Sequence, residues 1–465
     1  MLDITPLKKP KIFLIGIGGI GMSGIAEILT HQGYEVMGSD AKSNANTARL
    51  EAKGLKIFFG HHAQNIANAS IIVRSTAIKD NNPEIIHAKT LKIPVLSRAQ
   101  MLAELMRFYQ TIAVSGTHGK TTTTSLIAHL LASLDPTVVN GGIVNAYGSN
   151  IRIGNSRWMV VEADESDGTF IRVPASIGVV TNIDPEHLDY YGSFDNLKEA
   201  FATFIHQVSF YGFALLCADH PIVLEIIERT EDNRIITYGF HPEAMVRGEN
   251  VHFNTTGAIF DVSLQNAAYP RISQLHLPMH GEHNVQNALA AIALAVHMGL
   301  DPTQIREKLQ SFTGVKRRFT ITGEVNGIQF IDDYAHHPVE INAVLQAARK
   351  ADNKRIIAIF QPHRYSRFKQ FFQEFKEVLA DADHLLVTPV WAAGETPDKA
   401  INAPAFVELF FEQAHKHVAY CPTFAKAKQA LERIAQPGDR VIFFGAGDIT
   451  KWAYEMPLVF RKEVA

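Results

Sequence analysis

A glycine- and threonine-rich segment, residues 116–122, has the composition of a loop that binds nucleotide phosphates. It consists of GTHGKTT and lies between an apolar run and a helical pattern. In such loops backbone N–H groups bind phosphate oxygens, a lysine neutralises the β- and γ-phosphates, and a threonine hydroxyl can ligate Mg²⁺. The segment departs from the full G-x-x-x-x-G-K-[ST] pattern, because Val114 stands where the first glycine would be. The flanking strand and helix favour ATP binding over a chance Gly-Lys-Thr.

A cluster of carboxylates follows the apolar run Trp158–Val161. Glu162, Asp164, Glu165 and Asp167 occupy four of six consecutive positions. Like charges this close repel one another unless a cation neutralises them, and Mg²⁺ prefers oxygen ligands. A solvated acidic loop is the commoner explanation of such clusters. The position directly after a buried strand favours a metal site here.

His187 lies in a third polar segment, TNIDPEHLD at residues 181–189, which also follows an apolar strand. An imidazole at this position could ligate a second metal ion, with Asp184 or Glu186 orienting it. Asp184 followed by Pro185 equally fits a helix N-cap with proline at the first helical position. We therefore predict that His187 is a metal ligand and that Asp184 is a cap.

The first glycine loop, GIGGIG at residues 16–21, satisfies G-x-G-x-x-G between a strand and a helix. Its glycines permit a tight turn and let backbone N–H groups approach a diphosphate at the helix N-terminus. A second strand ends in Asp40, as a dinucleotide-binding fold requires. Since NAD(H) and a UDP-sugar both present a diphosphate and a ribose, the pattern leaves the nucleotide open.

Polar residues of the last 200 positions suggest further contacts with ligands. Asn284 and Asn287 share one helix face, which suits recognition of a purine edge, although helix capping explains such residues more often. The basic triplet Lys316–Arg318 is either a solvated surface or a hinge that faces a γ-phosphate. Arg364 and Arg367 could bind a carboxylate in bidentate fashion, which lysine does less well.

The elements that must position these residues are short apolar strands followed by helices. An apolar run that ends in glycine recurs at residues 11–21, 111–122 and 440–448. This pattern is typical of parallel sheets buried on both faces, so the predicted fold class is α/β with doubly wound sheets. Domain boundaries are expected near residues 105–110 and 314–318. Apolar and polar residues alternate through residues 246–277 without helical periodicity. This alternation predicts a small antiparallel excursion.

Composition excludes several classes of protein. The chain has 465 residues, of which 46% are apolar and 20% charged, so it is neither disordered nor fibrous. A formal charge of −3 argues against wholesale binding of nucleic acid or anionic membranes. The two cysteines, Cys217 and Cys421, lack CxxC spacing, so we expect no disulfide framework and a reducing compartment. No signal-like or membrane-spanning run is visible, and a cytoplasmic location is expected.

Taken together, these segments resemble the sequence landmarks of the Mur ligases of peptidoglycan assembly, in that family's order. The landmarks are GTHGKTTTT, VEADESDGTF, TNIDPEHLDYYG, HGEHNVQNALAA and DDYAHHP. GIGGIGMSG, DDYAHHP and FQPHRYSR favour the alanine-adding branch of the family. The resemblance implies three domains: a Rossmann-like domain for a UDP-sugar at 1–107, a central P-loop ATPase-type domain at 108–314, and a C-terminal Rossmann-like domain for the amino acid at 315–465.

The resemblance also implies an activity. The lactyl carboxylate of UDP-N-acetylmuramic acid would attack the γ-phosphate of ATP, and the amine of L-alanine would displace phosphate from the acyl phosphate. The implied cofactors are ATP and two Mg²⁺ ions, with Mn²⁺ as an alternative. Neither nucleic acid nor membrane insertion is expected, and the protein would be a monomer or a homodimer.

Other activities remain open at this point. Within the family the alternatives are the murein-tripeptide recycling ligase, which uses the same UDP-sugar, and the D-glutamate-adding or diaminopimelate-adding enzymes. From other classes they are a nicotinamide-dependent dehydrogenase and a non-enzymatic nucleotide switch. The dehydrogenase hypothesis leaves the phosphate loop, the acidic cluster and the basic triplet without a role.

Residue roles are carried over from the family by matching motif. The ATP site is assigned to Gly116, Thr117, His118, Gly119, Lys120, Thr121, Thr122, Asn284, Asn287, Arg318 and Asp333. Thr121 and Glu165 would hold the first metal ion and His187 the second, and the catalytic set is Lys120, Glu165, His187, Arg318 and Asp333. The UDP-sugar site is assigned to Gly16, Gly18, Gly19, Gly21, Ser23, Asp40 and Ser75. The L-alanine site is assigned to Tyr334, His336, His363, Arg364 and Arg367. Several family members carry a carbamylated lysine beyond the EHLD motif. Here that segment offers only Lys198, which is too close to His187 to match it, and absence of the lysine is typical of the alanine-adding branch.

Overall fold

The computed structural model describes residues 9–147, 149–166, 168–230, 234–265, 268–352, 354–398, 400–411 and 417–462. The chain forms two compact units, one of residues 1–246 with 290–299 and one of residues 247–289 with 300–465. Within the described ranges, none of the helices combines the length and the apolar character needed to cross a membrane.

The first unit begins with a five-stranded parallel sheet in the order β3-β2-β1-β4-β5. Its strands are β1 (Lys11–Ile15), β2 (Glu35–Asp40), β3 (Lys56–Phe59), β4 (Ile71–Arg74) and β5 (Val95–Ser97). Its helices are α1 (Ile20–His31), α2 (Ala45–Ala52), α3 (Pro83–Thr90) and α4 (Arg98–Met106), with a 3₁₀ turn at Ala63–Ile66. The chain order reverses between β1 and β4. In parallel sheets, ligands bind where the strand order reverses, beyond the carboxyl ends of the strands. The first glycine loop follows β1 and therefore lies at this reversal.

The central sheet contributes seven strands to the same unit, in the order β12-β11-β10-β6-β9-β7-β8. They are β6 (Gln110–Ser115), β7 (Thr137–Val144), β8 (Ser149–Arg152), β9 (Trp158–Glu162), β10 (Ile177–Val180), β11 (Phe213–Cys217) and β12 (Ile235–Gly239). The helices are α5 (Lys120–Leu130), α6 (Leu188–Tyr191), α7 (Phe194–His206) and α8 (Pro221–Glu228), with 3₁₀ turns at Leu131–Leu134 and Thr169–Arg172. Because β10, β6 and β9 are parallel neighbours, the segments that follow them meet at one edge of the sheet.

The second unit contains the predicted antiparallel excursion and a six-stranded sheet. The excursion comprises β13 (Val246–Asn254), β14 (Gly257–Leu264) and β15 (Arg271–Leu277). It is followed by α9 (Glu282–His297), of which residues 290–297 belong to the first unit, and by α10 (Pro302–Gln310). The sheet has the order β16-β17-β21-β18-β19-β20 and is parallel except between β16 and β17.

The strands of this sheet are β16 (Thr320–Val325), β17 (Ile328–Asp333), β18 (Ile356–Phe360), β19 (His384–Val387), β20 (Val418–Tyr420) and β21 (Arg440–Phe444). Its helices are α11 (Pro338–Asp352), α12 (Tyr365–Gln370), α13 (Phe372–Leu379), α14 (Ala403–Phe411), α15 (Phe424–Ile434) and α16 (Ile449–Lys462). Strands β17, β21 and β18 are adjacent, so the predicted alanine-site segments, which follow β17 and β18, lie at one edge.

Within the first unit, helix α1 packs directly on the central sheet. Gly24 of α1 is buried, and a Cβ placed there would lie 1.3 Å from Cδ1 and 2.6 Å from Cγ1 of Ile151 in β8. Ile151 belongs to an apolar core that is continuous from the first sheet to the central sheet. The absence of a side chain at Gly24 therefore allows α1 to lie this close to Ile151 of β8.

We predict that Gly24→Ala destabilises the first unit by about 1–3 kcal/mol, because the added methyl overpacks the contact with Ile151. In an Ile151→Ala background the same substitution should cost nothing, since the space is then available. The free energy of unfolding of the two single variants and the double variant, measured in urea, tests this coupling. An equal cost of Gly24→Ala in both backgrounds would show that the contact does not limit the packing.

Candidate active site

The phosphate-loop segment forms a turn between β6 and α5 that only glycine can make. Gly116 and Gly119 have φ angles of +131° and +82°, which side-chain-bearing residues rarely adopt. At Gly116 a Cβ would also lie 2.0 Å from the Thr181 hydroxyl oxygen. No side chain of the described residues caps α5 at Gly119, and an uncapped helix N-terminus can bind phosphate oxygens.

The segment after β10 holds the phosphate loop in place. Asn182 accepts a hydrogen bond from the His118 backbone N–H at 2.7 Å and donates one to the His118 carbonyl at 3.0 Å. The Thr181 hydroxyl donates to the same carbonyl at 2.6 Å. The Asp184 backbone N–H donates to the Thr117 hydroxyl at 2.9 Å. The loop conformation is therefore fixed by side chains outside the loop.

Asp184 contacts two histidines rather than capping a helix. Its carboxylate oxygens lie 3.2 Å from Nε2 of His118 and 3.4 Å from Nε2 of His220. Burial opposes ionisation of Asp184, but the hydrogen bonds to both histidines outweigh it and lower the pKa of the carboxyl group well below its usual range. The predicted N-cap role is wrong, because α6 begins at Leu188 with His187 as its N-cap.

Lys120 and Glu165 form a buried ion pair at the centre of the site. The Lys120 Nζ lies 2.9 Å from Glu165 and also donates to the carbonyls of Gly116 and Thr117 at 2.5 and 3.0 Å. Burial opposes the charged form of Lys120, but Glu165 and Asp164 outweigh it and raise the lysine pKa. Burial raises the pKa of Glu165 to about 7, and Lys120 opposes this shift. The ammonium is thus charged and held within the phosphate loop.

Glu165, Glu186 and His187 form a group that could hold a metal ion. Their ligand atoms lie within 4.8 Å of one another, with His187 Nε2 3.9 Å from Glu165 and 3.8 Å from Glu186. Both carboxylates are buried, at 1% and 9% exposure, and buried like charges require a cation. Two oxygens and an imidazole nitrogen suit Mg²⁺ or Mn²⁺. From the sequence alone, Glu186 is predicted only to orient His187.

Two other carboxylates of the acidic cluster accept hydrogen bonds from backbone N–H groups. Glu162 accepts a hydrogen bond from the Gly141 backbone N–H at 2.7 Å, and Asp164 accepts one from the Ser166 backbone at 2.9 Å. Asp167 lies outside the described residues. Thr121, at the start of α5, is 7% exposed and stays a predicted ligand.

The first glycine loop carries Asp40 at its side. The Gly18 N–H donates to the Asp40 carboxylate at 2.8 Å, and a Cβ at Gly16 would lie 3.1 Å from Cβ of Ser75. The predicted residues Gly16, Gly18, Asp40 and Ser75 therefore adjoin, and Gly19 is the N-cap of α1. Ser23 is fully buried in α1 and donates to the Ile20 carbonyl at 3.0 Å, so it has no surface open to a ligand.

A buried carboxylate beside this loop was not predicted. Glu84, in the first turn of α3, is fully buried and accepts hydrogen bonds at 2.8 Å from Ser39, His61 and Asn65. The network fixes the orientation of the His61 ring next to the end of β2. A glutamate in a first helical turn ordinarily faces solvent, so the sequence contains no signal for this network.

In the second unit, Asp333 binds backbone rather than solvent. Its carboxylate accepts from the N–H groups of Phe319 at 2.7 Å and Ala335 at 2.8 Å. Burial raises the pKa of Asp333 to about 6, and nearby Arg318 opposes this shift. Arg318 lies 5.3 Å from the Tyr334 ring. Its neighbour Arg317 donates to the Gly445 carbonyl at 2.6 Å, so it has a different, structural contact.

The residues predicted to bind L-alanine largely adjoin one another. The His336 ring lies 5.1 Å from that of Tyr334 and 5.4 Å from that of His363. Burial, together with His336 and the nearby arginines, lowers the pKa of His363 to about 3. Neutral His363 can therefore accept the hydrogen bond from Arg367 at 3.2 Å. Arg364 is the N-cap of α12 with a φ of +64°.

Asn284 and Asn287 lie in the first turns of α9 and are 6% and 7% exposed. Asn284 Nδ2 donates to the His280 carbonyl at 2.7 Å, which is a local hydrogen bond to the backbone just before the helix. Recognition of a purine edge by this pair stays a prediction.

Comparison with known families matches almost the whole chain. Residues 11–110 match the Mur ligase family catalytic domain, residues 114–295 the Mur ligase middle domain, and residues 317–447 the Mur ligase glutamate ligase domain. These matches agree with a three-domain α/β architecture.

Comparison with individual proteins gives near full-length relatives. The chain is 53% identical over 456 residues to a UDP-N-acetylmuramate--L-alanine ligase of Brucella anthropi, covering 97% of each chain. It is 52% identical over 460 residues to one of Agrobacterium fabrum, covering 97% of this chain and 98% of the relative. A crystal structure of UDP-N-acetylmuramate-alanine ligase from Thermotoga maritima superposes with a TM-score of 0.79 at 30% identity, covering 98% of this chain and 100% of that one.

We predict that Asn182→Ala weakens ATP binding by about tenfold, because it removes both side-chain hydrogen bonds to His118 and frees the phosphate loop. Isothermal titration with a non-hydrolysable ATP analogue and Mg²⁺ measures the effect. Asn155→Ala is the control, since Asn155 is exposed and bonds to Asp135 away from the loop. Wild-type affinity in the Asn182 variant would show that the loop keeps its shape without this contact.

Proposed function

The chain belongs to the Mur ligase family, and we infer that it is an ATP-dependent ligase of peptidoglycan synthesis that joins L-alanine to UDP-N-acetylmuramate. The observation that carries this conclusion is the group at the ends of β10, β6 and β9. There Lys120 contacts Glu165, and Glu165 adjoins Glu186 and His187. Such a group suits transfer of a phosphoryl group to an acid rather than hydride transfer, so the dehydrogenase alternative is set aside.

The chemistry requires activation of a carboxylate. A carboxylate is a poor electrophile, and its phosphorylation supplies a leaving group that the amine of L-alanine can displace. Charge develops on the oxygens of the transferred phosphoryl group, and fixed cations stabilise it. Lys120 supplies one such cation from within the phosphate loop. Bound Mg²⁺ would neutralise further phosphate charge, and Glu165, Glu186 and His187 are the residues that would hold it.

The roles in the second unit are proposed in the same way. Arg318 contacts the γ-phosphate of ATP, and Asp333 contacts its ribose. The guanidinium groups of Arg364 and Arg367 bind the carboxylate of L-alanine. Tyr334, His336 and His363 line the same site, and neutral His363 orients Arg367 by accepting its hydrogen bond.

The substrate is tested by phosphate release with ATP, Mg²⁺ and UDP-N-acetylmuramic acid. We expect kcat/KM to be highest with L-alanine when it is compared with glycine, L-serine, D-glutamate, diaminopimelate and L-Ala-γ-D-Glu-diaminopimelate. The tripeptide as the preferred amine donor would identify a recycling ligase instead. Failure of every amine donor to release phosphate would reject the ligase assignment.

We predict that Lys120→Ala lowers the rate of phosphate release by a factor on the order of 10²–10³, because the fixed cation beside the transferred phosphoryl group is lost. Binding of UDP-N-acetylmuramic acid, measured by titration calorimetry without ATP, should remain close to that of the wild type. Lys426→Ala, an exposed lysine of α15, should change neither quantity. Joint loss of UDP-sugar binding would contradict separate sites for the two nucleotides.

A further inference from the structure

Trp391 lies in the loop after β19, which none of the predicted sites includes. Strand β19 ends at Val387, and its parallel neighbour β18 ends at Phe360, just before His363 and Arg364. Because the carboxyl ends of parallel strands meet at one edge of a sheet, both segments leave the sheet at the same edge. Trp391 is 40% exposed and is the most exposed of the three tryptophans. An aromatic side chain with an open surface at such an edge is typical of a ligand pocket.

The backbone of Trp391 pairs with the segment that carries the predicted alanine-site residues. The Trp391 N–H donates to the Pro362 carbonyl at 2.8 Å, and the Trp391 carbonyl accepts from the Arg364 N–H at 2.8 Å. Together these bonds make a parallel bridge between Trp391 and His363 outside the named strands. The position of Trp391 relative to His363 and Arg364 is therefore fixed by backbone contacts that do not depend on its side chain.

The same loop also holds Arg364 in a rare conformation. Arg364 has a φ angle of +64°, and residues with a side chain keep such angles only where their surroundings enforce them. The hydrogen bond to the Trp391 carbonyl is one such constraint. A second one comes from Glu395, whose carboxylate accepts from the Ser366 N–H at 3.0 Å and from the Ser366 hydroxyl at 2.6 Å. The loop after β19 and the start of α12 therefore form one connected structure.

The side chain of Trp391 crosses the end of β18. A Cβ at Gly447, in the turn after β21, would lie 2.6 Å from Cγ and 3.0 Å from Cβ of Trp391. That turn is held in turn by Arg317, which donates to the Gly445 carbonyl. In the sheet order β21-β18-β19, strand β18 lies between the strand that carries Gly447 and the strand that carries Trp391. The indole therefore lies over the point where the chain leaves β18 toward His363.

We propose that Trp391 is a specificity-determining residue, whose indole forms the wall of the amino-acid pocket that contacts the methyl group of L-alanine and excludes larger side chains. This proposal rests on the proposed function, in which Arg364 and Arg367 bind the carboxylate of L-alanine. The side chain of an amino acid is only one bond further from its carboxylate than Cα is, so a carboxylate bound there brings the substrate side chain close to Trp391. A rigid ring backed by the Gly447 turn cannot make room for a longer side chain.

The test measures phosphate release with ATP, Mg²⁺ and UDP-N-acetylmuramic acid, using L-alanine, L-α-aminobutyrate and L-valine in turn as the amine donor. In Trp391→Ala the ratio of kcat/KM for L-valine to kcat/KM for L-alanine should rise about tenfold or more, because one methylene in an apolar pocket changes such a ratio by about 10–200-fold. The change for L-α-aminobutyrate should be intermediate. Trp391→Phe keeps an aromatic wall, and its ratio should stay within about threefold of the wild type.

The ratio separates a pocket wall from a merely structural contact. If Trp391 acted only by holding Arg364, Trp391→Ala would lower kcat/KM for all three amine donors by one common factor. An unchanged ratio would therefore overturn the proposal. Trp391→Leu keeps more of the packing against Gly447 and should raise the same ratio by a smaller factor. It decides the question if Trp391→Ala has a lowered melting temperature, and an unchanged ratio in Trp391→Leu would equally overturn the proposal.

Tyr269→Ala is the matched control, since Tyr269 lies in the turn between β14 and β15 and is also 40% exposed. Its ratio should equal that of the wild type. A rise in this control as large as that in Trp391→Ala would show that the ratio responds to loss of any exposed aromatic side chain, and would overturn the proposal. The wild type tests the proposed function in the same assay. Absence of phosphate release with L-alanine would reject the ligase assignment, whereas release with an unchanged ratio in the variants would reject only the role of Trp391.

Discussion

The ion pair between Lys120 and Glu165 is the contact on which the candidate active site depends. Glu165 is 1% exposed, and removal of one partner from a buried pair leaves an uncompensated charge. The pair joins the loop after β6 to the segment after β9, and Glu165 in turn adjoins Glu186 and His187 after β10. The parallel order β10-β6-β9 therefore brings the phosphate loop and the candidate metal ligands together at one edge of the sheet.

Much of this arrangement follows from the sequence alone. Apolar runs that end in polar segments predict parallel strands, and the carboxyl ends of parallel strands share one edge. The phosphate loop and the acidic segment could be placed together on that basis. Membership of the family, which near full-length relatives show, agrees with the resemblance found in five motifs. The ordering of strands in the sheet needs the structure, because sequence spacing does not determine which strands are neighbours.

What the sequence could not supply are the partners of single polar side chains. Asp184 followed by Pro185 has the local signature of a helix cap, but its carboxylate contacts His220, which arrives from the start of α8. Glu84 has the local signature of an exposed first turn, yet Ser39 and His61 bury it. In both cases a long-range hydrogen bond overrides a local preference, and only the folded chain brings the partners together. Ser23 shows the opposite case. It lies in a predicted binding motif, but its side chain is fully buried.

The two glycine loops show why a motif alone leaves its ligand open. In the phosphate loop, Gly116 and Gly119 are required by positive φ angles, and this requirement would be the same for any loop of that shape. In the first loop, Gly21 has a helical backbone, and a Cβ there would lie 3.0 Å from Nη1 of Arg98, a residue that the motif does not contain. Backbone geometry therefore makes a turn suited to phosphate, whereas the motif does not specify the side chains packed against the turn. The Asp40 carboxylate accepts the Gly18 N–H, and Arg98 lies beside Gly21, so the charges around this turn come from residues that the spacing of its glycines does not specify.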